Sequence, residues 1–351
     1  MKKRADGRYV ETFTDEKTGK RKYIYGSSPK IVKEKLRNYE EELKNAVGYD
    51  GKTFREVAEE WKEIHDKEVE YATQIAYRPG YKQSLEYFGG RLVKDITPAD
   101  VKKYIAMIAN KGFAHATVNI YLVVIRMIFD HAIYLEEISS NPVTTVKIPK
   151  GLSKKERDVP PEEYIEIIKD NVHSGQMGLF AYFLLYSGLR KSEALALQWR
   201  DINLEKKTIT VNKIVEYIIN KPRIKNSTKT KASTRNVILL DKLADTLKQY
   251  KGNDNIYIFK GSGGLYKRGE FHKRWGKYCS ETGMIKDGKN DITPHQLRHA
   301  YVTMLYESDI DAESAMLMTG HSNIATMRNI YTHIREKKLE EVAEKLNKNA
   351  W

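Results

Sequence analysis

The chain has 351 residues, 40% hydrophobic and 31% charged, which is enough apolar material for two or three packed domains. Its net charge of +14 favours a polyanionic partner, usually nucleic acid, although a lysine-rich surface for solubility gives the same excess. The single cysteine, Cys279, excludes an internal disulfide and indicates a reducing compartment. We expect no signal peptide, because the first residues are basic and lack an apolar stretch, and no metal site, because no cluster of spaced histidines and cysteines occurs. We expect no membrane span, because the longest apolar run, 178–189, is too short to cross a bilayer.

Residues 1–50 are predicted to form a small basic unit of one sheet and one helix. Residues 8–10 and 21–25 have the composition of strands, a turn signature at 15–19 separates them, and a helix is predicted over 29–44. Such a unit has too little core to be very stable alone. Its lysines and tyrosines suit either a contact with DNA or an ordinary half-buried sheet.

Residues 51–148 are predicted to form a bundle of four helices. Thr53 caps the first helix, whose apolar residues recur with the period of one helix face, and a second helical run covers about 74–87. Thr97 and the acidic residue three positions later mark the start of the third helix. A longer apolar helix follows over about 117–135. Together these helices predict a compact domain.

A short linker is predicted at residues 149–155, because proline, glycine and lysine replace the periodic apolar pattern there. The segment holds Pro149, Gly151 and three lysines. An extended basic linker between two DNA-binding units would follow the duplex, and a plain tether is the alternative.

Residues 156–351 form the largest predicted unit, a mixture of helices and short strands. An apolar helix over 178–187 is followed by strands over 208–211 and 214–219, and a third strand returns over 236–240.

The connector 221–235 leads into that returning strand. It carries six basic residues and no acidic one. We predict a mobile hairpin tip that is placed to meet phosphate.

Two imidazoles, one guanidinium and one phenol recur at helix edges in the last sixth of the chain. A Thr-Pro start opens a helix on which His295 and Arg298 lie three residues apart on one face. His321 follows a glycine helix stop, and Tyr331 is expected near the end of a short helix capped by Ser322. This set suits phosphate chemistry, because it offers a planar cation for non-bridging oxygens, proton-handling groups and a nucleophile that can hold a phosphoryl group.

Five motifs occur in one order along the largest unit. They are Ser187–Glu193, Lys229–Lys231, His295–His299, Gly320–His321 and Tyr331. Each is weak alone, but their joint order and spacing resemble the tyrosine recombinase (phage integrase) family. The predicted bundle resembles that family's SAM-like core-binding domain. The basic N-terminal unit resembles the arm-binding domain of lambda-type and conjugative-transposon integrases.

The resemblance implies a multidomain, mainly α fold with small β-sheets. It assigns 1–50, a small sheet plus a helix, to an arm-type DNA-binding domain and 51–148 to a helical core-binding domain. The basic linker 149–155 would then join these to a mixed α+β catalytic domain, 156–351, which includes a C-terminal helix.

The resemblance also implies a role for each matching residue in cutting and rejoining DNA. Tyr331 would attack a scissile phosphate and form a 3′-phosphotyrosyl bond, which conserves bond energy, so that no ATP, cofactor or metal is expected. Arg190 and Arg298 would clamp the non-bridging oxygens. His295 would act as a general acid or base, and His321 would donate a hydrogen bond to the phosphate.

The lysine assignment leaves alternatives open. Lys229 would protonate the leaving 5′-oxygen, although Lys225 and Lys231 lie in the same basic connector. Glu193 would support the site without taking part directly, and His299 is expected to be structural. Taken singly, these residue types are more often helix caps, solvated helix faces or packing.

The implied partners are double-stranded DNA with attachment sites, a homotetramer in the synaptic complex, and accessory DNA-bending or excisionase proteins. A cytoplasmic, nucleoid-associated location without a membrane is expected. The amphipathic helix over 336–347 would pack on a neighbouring protomer, with packing in cis as the alternative.

The complete catalytic set favours an integrase of a mobile element. The other functions considered are a non-cutting regulator or architectural protein, a chromosome-dimer resolvase and a type IB topoisomerase.

Overall fold

The computed structural model describes seven stretches of the chain, which are residues 2–3, 6–14, 21–46, 51–153, 159–226, 234–321 and 323–349. The chain divides into two compact units, Met1–Lys155 and Glu156–Trp351. The four-part division into 1–50, 51–148, 149–155 and 156–351 stays a prediction.

The N-terminal part of the first unit is a three-stranded antiparallel sheet covered by one helix. The strands are β1 (Lys2–Lys3), β2 (Tyr9–Thr14) and β3 (Arg21–Gly26), in that order, and helix α1 spans Pro29–Ala46. Val32 on α1 is fully buried. The predicted strands and helix are confirmed, and the predicted turn at 15–19 lies outside the described residues.

Four helices form the rest of the first unit. They are α2 (Phe54–Glu68), α3 (Tyr71–Phe88), α4 (Pro98–Ala109) and α5 (His115–Tyr134). Capping boxes at Thr53 and Thr97 begin α2 and α4, as the sequence predicts. Aromatic side chains from different helices meet in the core, where the ring of Phe54 contacts both Phe88 and Phe129. These contacts make the bundle one packed body.

Helix α5 is long and apolar enough to cross a membrane by length and composition. Its side chains Val124, Ile125 and Ile128 are nevertheless fully buried in the bundle. The apolar composition of α5 is therefore explained by its place in the centre of this core.

The second unit begins with three helices, followed by two small sheets. Helices α6 (Glu162–Asp170), α7 (Gln176–Ser187) and α8 (Lys191–Ala194) come first. Strands β4 (Ile202–Asn203), β5 (Thr208–Val211) and β8 (Arg235–Ile238) form one antiparallel sheet. Strands β6 (Lys213–Ile218) and β7 (Lys221–Asn226) form a separate hairpin. Every residue of α7 from Met177 to Ser187 is buried, so this helix is the centre of the core.

The first part of the connector 221–235 was wrongly predicted as a mobile tip. Residues 221–226 are strand β7, in which Ile224 pairs with Val215 of β6. The basic residues and Pro222 hide the alternation expected of a strand, and proline is tolerated where no ladder hydrogen bond is needed. Residues 227–233 lie outside the described residues.

Helices form the remainder of the second unit. They are α9 (Asp241–Lys248), α10 (Arg268–Glu281), α11 (Pro294–Glu307), α12 (Ala312–Thr319) and α13 (Ile324–Asn349), with a short hairpin of β9 (Ile285–Lys286) and β10 (Lys289–Asn290) before α11. The sequence wrongly predicted a helix end near Tyr331. Helix α13 continues through this position, because no glycine or proline between 324 and 349 stops it.

Candidate active site

A glycine turn at the end of α7 sets the geometry of the site. Gly188 ends the helix in the left-handed conformation with φ of 61°. A Cβ at this position would lie 2.2 Å from the ring of Tyr301, so only glycine fits. The carbonyl oxygen of Gly188 accepts a hydrogen bond of 2.8 Å from Nη1 of Arg298. The turn therefore joins the chain ahead of Arg190 to α11.

Arg190 is held between two segments that are far apart in the sequence. Its Nη1 donates to Oε1 of Glu193 at 3.0 Å, and its Nη2 donates to the carbonyl oxygen of Gly320 at 2.7 Å. Its backbone N–H also donates to Oε2 of Glu193 at 2.8 Å. The Arg190 side chain is 42% exposed, so an incoming anion can reach it.

Arg298 is the buried member of the arginine pair, with 2% exposure. Burial, and then the positive charge of Arg190, lower the pKa of its guanidinium to about 9. A buried guanidinium beside a second one is strained by like-charge repulsion. The pair is therefore prepared to accept an anion, which would relieve that repulsion.

His321 joins the arginines through a network that assigns its tautomer. The Thr319 hydroxyl donates to the carbonyl oxygen of Ala315 at 2.6 Å and lies 2.6 Å from Nδ1 of His321. A hydroxyl has one proton to donate, so Nδ1 of the neutral ring carries the proton shared with Thr319. Nη2 of Arg298 lies 3.3 Å from Nε2 and 3.4 Å from Nδ1, and with Nδ1 protonated it is Nε2 that can accept.

The pKa of His321 is lowered from 6.5 to about 4, first by burial and then by the charges of Arg298 and Arg190. Between pH 6.5 and 4 the unfolded chain therefore binds more protons at this position than the folded one. We expect the free energy of unfolding to fall with acidification in this window, and less steeply in His321→Gln. Urea unfolding of both proteins from pH 4 to 7 measures this, and parallel pH profiles would contradict it.

Arg235 is a site residue that the sequence analysis missed. It begins β8, and its side chain is 10% exposed. It donates to both oxygens of Glu193, at 3.0 and 2.9 Å, and to the carbonyl oxygen of Thr319 at 3.2 Å. Nothing in the motif spacing singles it out. The one available signal is its position at the end of the basic connector, directly before a strand.

Glu193 is the shared acceptor of this cluster. Burial opposes ionisation of its carboxyl, but the hydrogen bond and charge of Arg235, with a smaller contribution from Arg190, lower its pKa below the usual value. The carboxylate is therefore charged in the folded protein and holds both guanidinium groups.

The Tyr331 hydroxyl is bonded to a backbone carbonyl outside the arginine cluster. This hydroxyl donates to the carbonyl oxygen of Ile310 at 3.0 Å, and the Tyr331 ring packs edge-on against Tyr306 with 5.1 Å between centroids. Burial, and then the negative charge of Asp311, raise the pKa of the phenol. The structure thus places the tyrosine on a helix next to the site, with its hydroxyl engaged elsewhere.

The other predicted residues lie at the margin or outside the described part. His295 is exposed on α11, its ring 4.7 Å from that of His299, and its charge contributes to the lowered pKa of His321. Lys225 lies on β7, 3.7 Å from the carboxylate of Glu216. Lys229 and Lys231 fall among the residues outside the described ones.

Comparison with known proteins decides the family. The sequence pattern of the phage integrase family matches residues 161–338, about half of the chain. The chain belongs to this family. The pattern of the phage integrase N-terminal SAM-like domain matches residues 53–108 of the integrase, within the helical bundle.

Two curated relatives span most of the integrase. A protein called "Tyrosine recombinase XerC-like" from Caldanaerobacter subterraneus subsp. tengcongensis is 24% identical over 97% of this chain and 95% of its own length. The ICEBs1 integrase of Bacillus subtilis is 25% identical over 87% of this chain and 89% of its own length.

Two solved structures share the fold of the integrase. The solved fragment of the Tn1549 transposon integrase, in complex with transposon right end DNA, covers 83% of this chain, and 100% of the fragment is matched, with a TM-score of 0.68 at 18% identity. A lambda integrase dimer bound to a COC′ core site covers 93% of this chain, with 93% of its own chain matched, a TM-score of 0.60 and 18% identity.

These findings confirm the family, the mainly helical fold and the reaction class predicted from the sequence. The protein is a tyrosine recombinase of the phage integrase family, whose enzymes cut and rejoin DNA.

Proposed function

We propose that Tyr331 is the nucleophile with which this integrase cuts the DNA of a mobile element at specific sites, for integration and excision. Its phenolic oxygen attacks the scissile phosphorus, the bond from phosphorus to the 5′-oxygen breaks, and a 3′-phosphotyrosyl bond forms. A 5′-hydroxyl from another strand then attacks this ester and releases Tyr331. One ester replaces another, so the exchange needs no ATP.

The observation that carries this proposal is the convergence of Arg190, Arg298 and His321. Two guanidinium groups and a neutral imidazole meet there, and among the described residues the carboxylate that bonds to them is that of Glu193. In the phosphoryl-transfer transition state negative charge builds on the non-bridging oxygens, where paired guanidinium donors stabilise it most. A DNA-binding surface without chemistry would not need a buried arginine beside an accessible one.

His321 gains a second function once the phosphodiester is bound. The anion attracts the Nη2 donor of Arg298 and adds negative charge beside the ring, so that Nε2 takes up a proton from solvent and the ring becomes an imidazolium. His321 then donates a hydrogen bond to the phosphate. His295, exposed at the start of α11, serves as general acid or base, and Lys229 protonates the leaving 5′-oxygen.

DNA binding must also release the nucleophile. In the free chain the Tyr331 hydroxyl is bonded to Ile310, so α13 has to shift before the phenol can reach a phosphate held by Arg190 and Arg298. Such a step couples cutting to assembly on the substrate. The ring contact with Tyr306 is the second contact of Tyr331 that this shift disrupts.

The substrate and the assembly follow from the same chemistry. The proposed substrate is double-stranded DNA bearing attachment sites, in the bacterial cytoplasm, with four protomers exchanging strands and accessory DNA-bending or excisionase proteins assisting. The lambda integrase has been solved as a tetramer bound to a Holliday junction, with a TM-score of 0.59 to this chain at 18% identity. We further propose the arm-type, core-binding and catalytic divisions at 1–50, 51–148 and 156–351.

The end of α13 is proposed to dock on a neighbouring protomer. Leu339 and Leu346 are 61% and 65% exposed in the single chain. We expect deletion of 336–351 to leave binding to one duplex unchanged and to reduce tetrameric synapses measured by native gel electrophoresis. The pair Leu339→Ser and Leu346→Ser should show the same loss without shortening the helix. Full tetramer formation by the truncated protein would show that the helix docks in cis.

Covalent trapping tests the proposed function. A nicked suicide duplex carrying the junction of the element's two ends loses the 5′-hydroxyl fragment after cutting, so the wild-type protein should accumulate an adduct that survives denaturation. Tight binding to that duplex without any adduct would favour a non-cutting regulator instead. A chromosome-dimer resolvase would form its adduct on a chromosomal site and not on the element's ends.

A further inference from the structure

We propose that Arg235 is a positioning residue that keeps Arg190 available to the scissile phosphate. The inference rests on the proposed function and adds to it a residue outside the predicted catalytic set. It follows from how two guanidinium groups, those of Arg190 and Arg235, share the buried carboxylate of Glu193.

Both carboxylate oxygens of Glu193 accept hydrogen bonds from the Arg235 side chain, whereas one of them accepts from the Arg190 side chain. Arg235 donates Nη1 to Oε1 at 3.0 Å and Nη2 to Oε2 at 2.9 Å, whereas the Arg190 side chain reaches Oε1 alone, at 3.0 Å. The side chains of Glu193 and Arg235 are 5% and 10% exposed, and that of Arg190 is 42% exposed. The fully matched ion pair is thus Arg235 with Glu193.

This pairing determines how the charge in the site is used. A buried carboxylate strongly requires a cation, and a paired fork of two parallel bonds is the strongest arrangement available to it. Without Arg235, the nearest guanidinium that could supply the fork is Arg190. It would turn inward onto Glu193, and its charge would be neutralised before the phosphodiester arrives.

Arg235 also holds the other wall of the site. It donates to the carbonyl oxygen of Thr319 at 3.2 Å, at the end of α12. A Cβ on Gly320 would lie 2.6 Å from Cζ of Arg235, so the guanidinium packs directly on the glycine turn. The same turn supplies the carbonyl that receives Nη2 of Arg190, and the Thr319 hydroxyl that holds His321.

One side chain therefore fixes both partners of Arg190, the carboxylate of Glu193 and the carbonyl of Gly320. Because Arg235 begins β8, it places this support on a paired strand and not on a loop. Small displacements of a transition-state donor reduce rates strongly, so loss of this support should be visible in the rate of cutting.

The test compares Arg235→Met with wild type and with Arg274→Met, a matched control at an exposed arginine paired with Glu270. Covalent adduct formation is timed on two suicide duplexes. One carries a normal scissile phosphate, and the other carries a neutral methylphosphonate, which needs less charge stabilisation from Arg190. DNA affinity and melting temperature are measured for each protein.

On the normal duplex Arg235→Met should cut ~10–100-fold more slowly than wild type at unchanged affinity. The ratio of the wild-type cutting rate to that of Arg235→Met should be at least about fivefold smaller on the methylphosphonate duplex, because the neutral phosphonate depends less on the charge of Arg190. Adding Glu193→Gln to Arg235→Met should restore about tenfold of the lost rate, since Arg190 is no longer captured. Arg274→Met should cut like wild type.

A merely structural Arg235 would give equal deficits on both duplexes and a double variant worse than the single one, and either result would overturn the proposal. If Arg235→Met does not fold, Arg235→Lys is measured on the same two duplexes, because one ammonium cannot bond both oxygens as the fork does. Wild-type rates in Arg235→Lys would then overturn the proposal. Absence of any wild-type adduct would contradict the proposed function itself.

Discussion

Tyr331→Phe is expected to abolish the covalent protein–DNA adduct while leaving affinity for the duplex unchanged. The substitution removes one oxygen, and with it the only atom proposed to bond to phosphorus. The ring contact with Tyr306 is kept, because phenylalanine packs edge-on as well as tyrosine does. Denaturing gel electrophoresis of suicide-duplex reactions measures the adduct.

Tyr306→Phe is the matched control for this experiment, since it removes a hydroxyl from the neighbouring ring. It should form the adduct at close to the wild-type rate. An adduct that persists in Tyr331→Phe and disappears in Tyr306→Phe would move the nucleophile to α11.

Arg298→Met is expected to slow cutting by about 10²–10³-fold, the usual cost of removing one donor from a developing oxyanion. The thermal stability of Arg298→Met should not fall in proportion to this loss of cutting rate. Burial and Arg190 lower the pKa of Arg298 to about 9, so the charged form is held at an energetic cost in the free protein. A melting temperature equal to or above that of wild type is therefore expected.

Rates of adduct formation and thermal unfolding together check this prediction, with Arg274→Met as the control. A large fall in melting temperature with a matching loss of activity would show that Arg298 stabilises the fold more than the transition state. Retained cutting in Arg298→Met would remove it from the catalytic set.

Residues whose neighbours are close in sequence were predictable. The capping boxes at Thr97 and Thr293, and the glycine stops at 188 and 320, depend on local hydrogen bonds and backbone angles, so the sequence alone indicates them. The same holds for the presence of Arg190 directly after a helix stop.

Contacts through space were not predictable. Arg235 meets Glu193 across 42 residues, and no local pattern encodes that distance. The Tyr331 hydroxyl bond to Ile310 likewise depends on how α13 packs on the preceding helices. The sequence motif singles out Tyr331 as the proposed nucleophile but does not indicate which groups its hydroxyl contacts.

The extent of α13 shows a related limit. The sequence motif and the amphipathic stretch over 336–347 appear as two elements, whereas the backbone joins them in one helix of 26 residues. A helix ends where a breaker or cap stops it, and none occurs between 324 and 349. The proposed nucleophile and the proposed docking segment are therefore parts of one continuous helix, and we expect docking to affect the position of Tyr331.

The most direct measurement is identification of the residue joined to DNA. The wild-type adduct is digested with nuclease and trypsin, and the peptide that retains a nucleotide is sequenced by mass spectrometry. Cleavage after Arg328 and Arg335 gives the peptide Asn329–Arg335, which contains Tyr331 as its one tyrosine. A nucleotide on that tyrosine is the predicted result. A nucleotide on the peptide that begins at His299 and contains Tyr306, or on any other peptide, would contradict the assignment of the nucleophile.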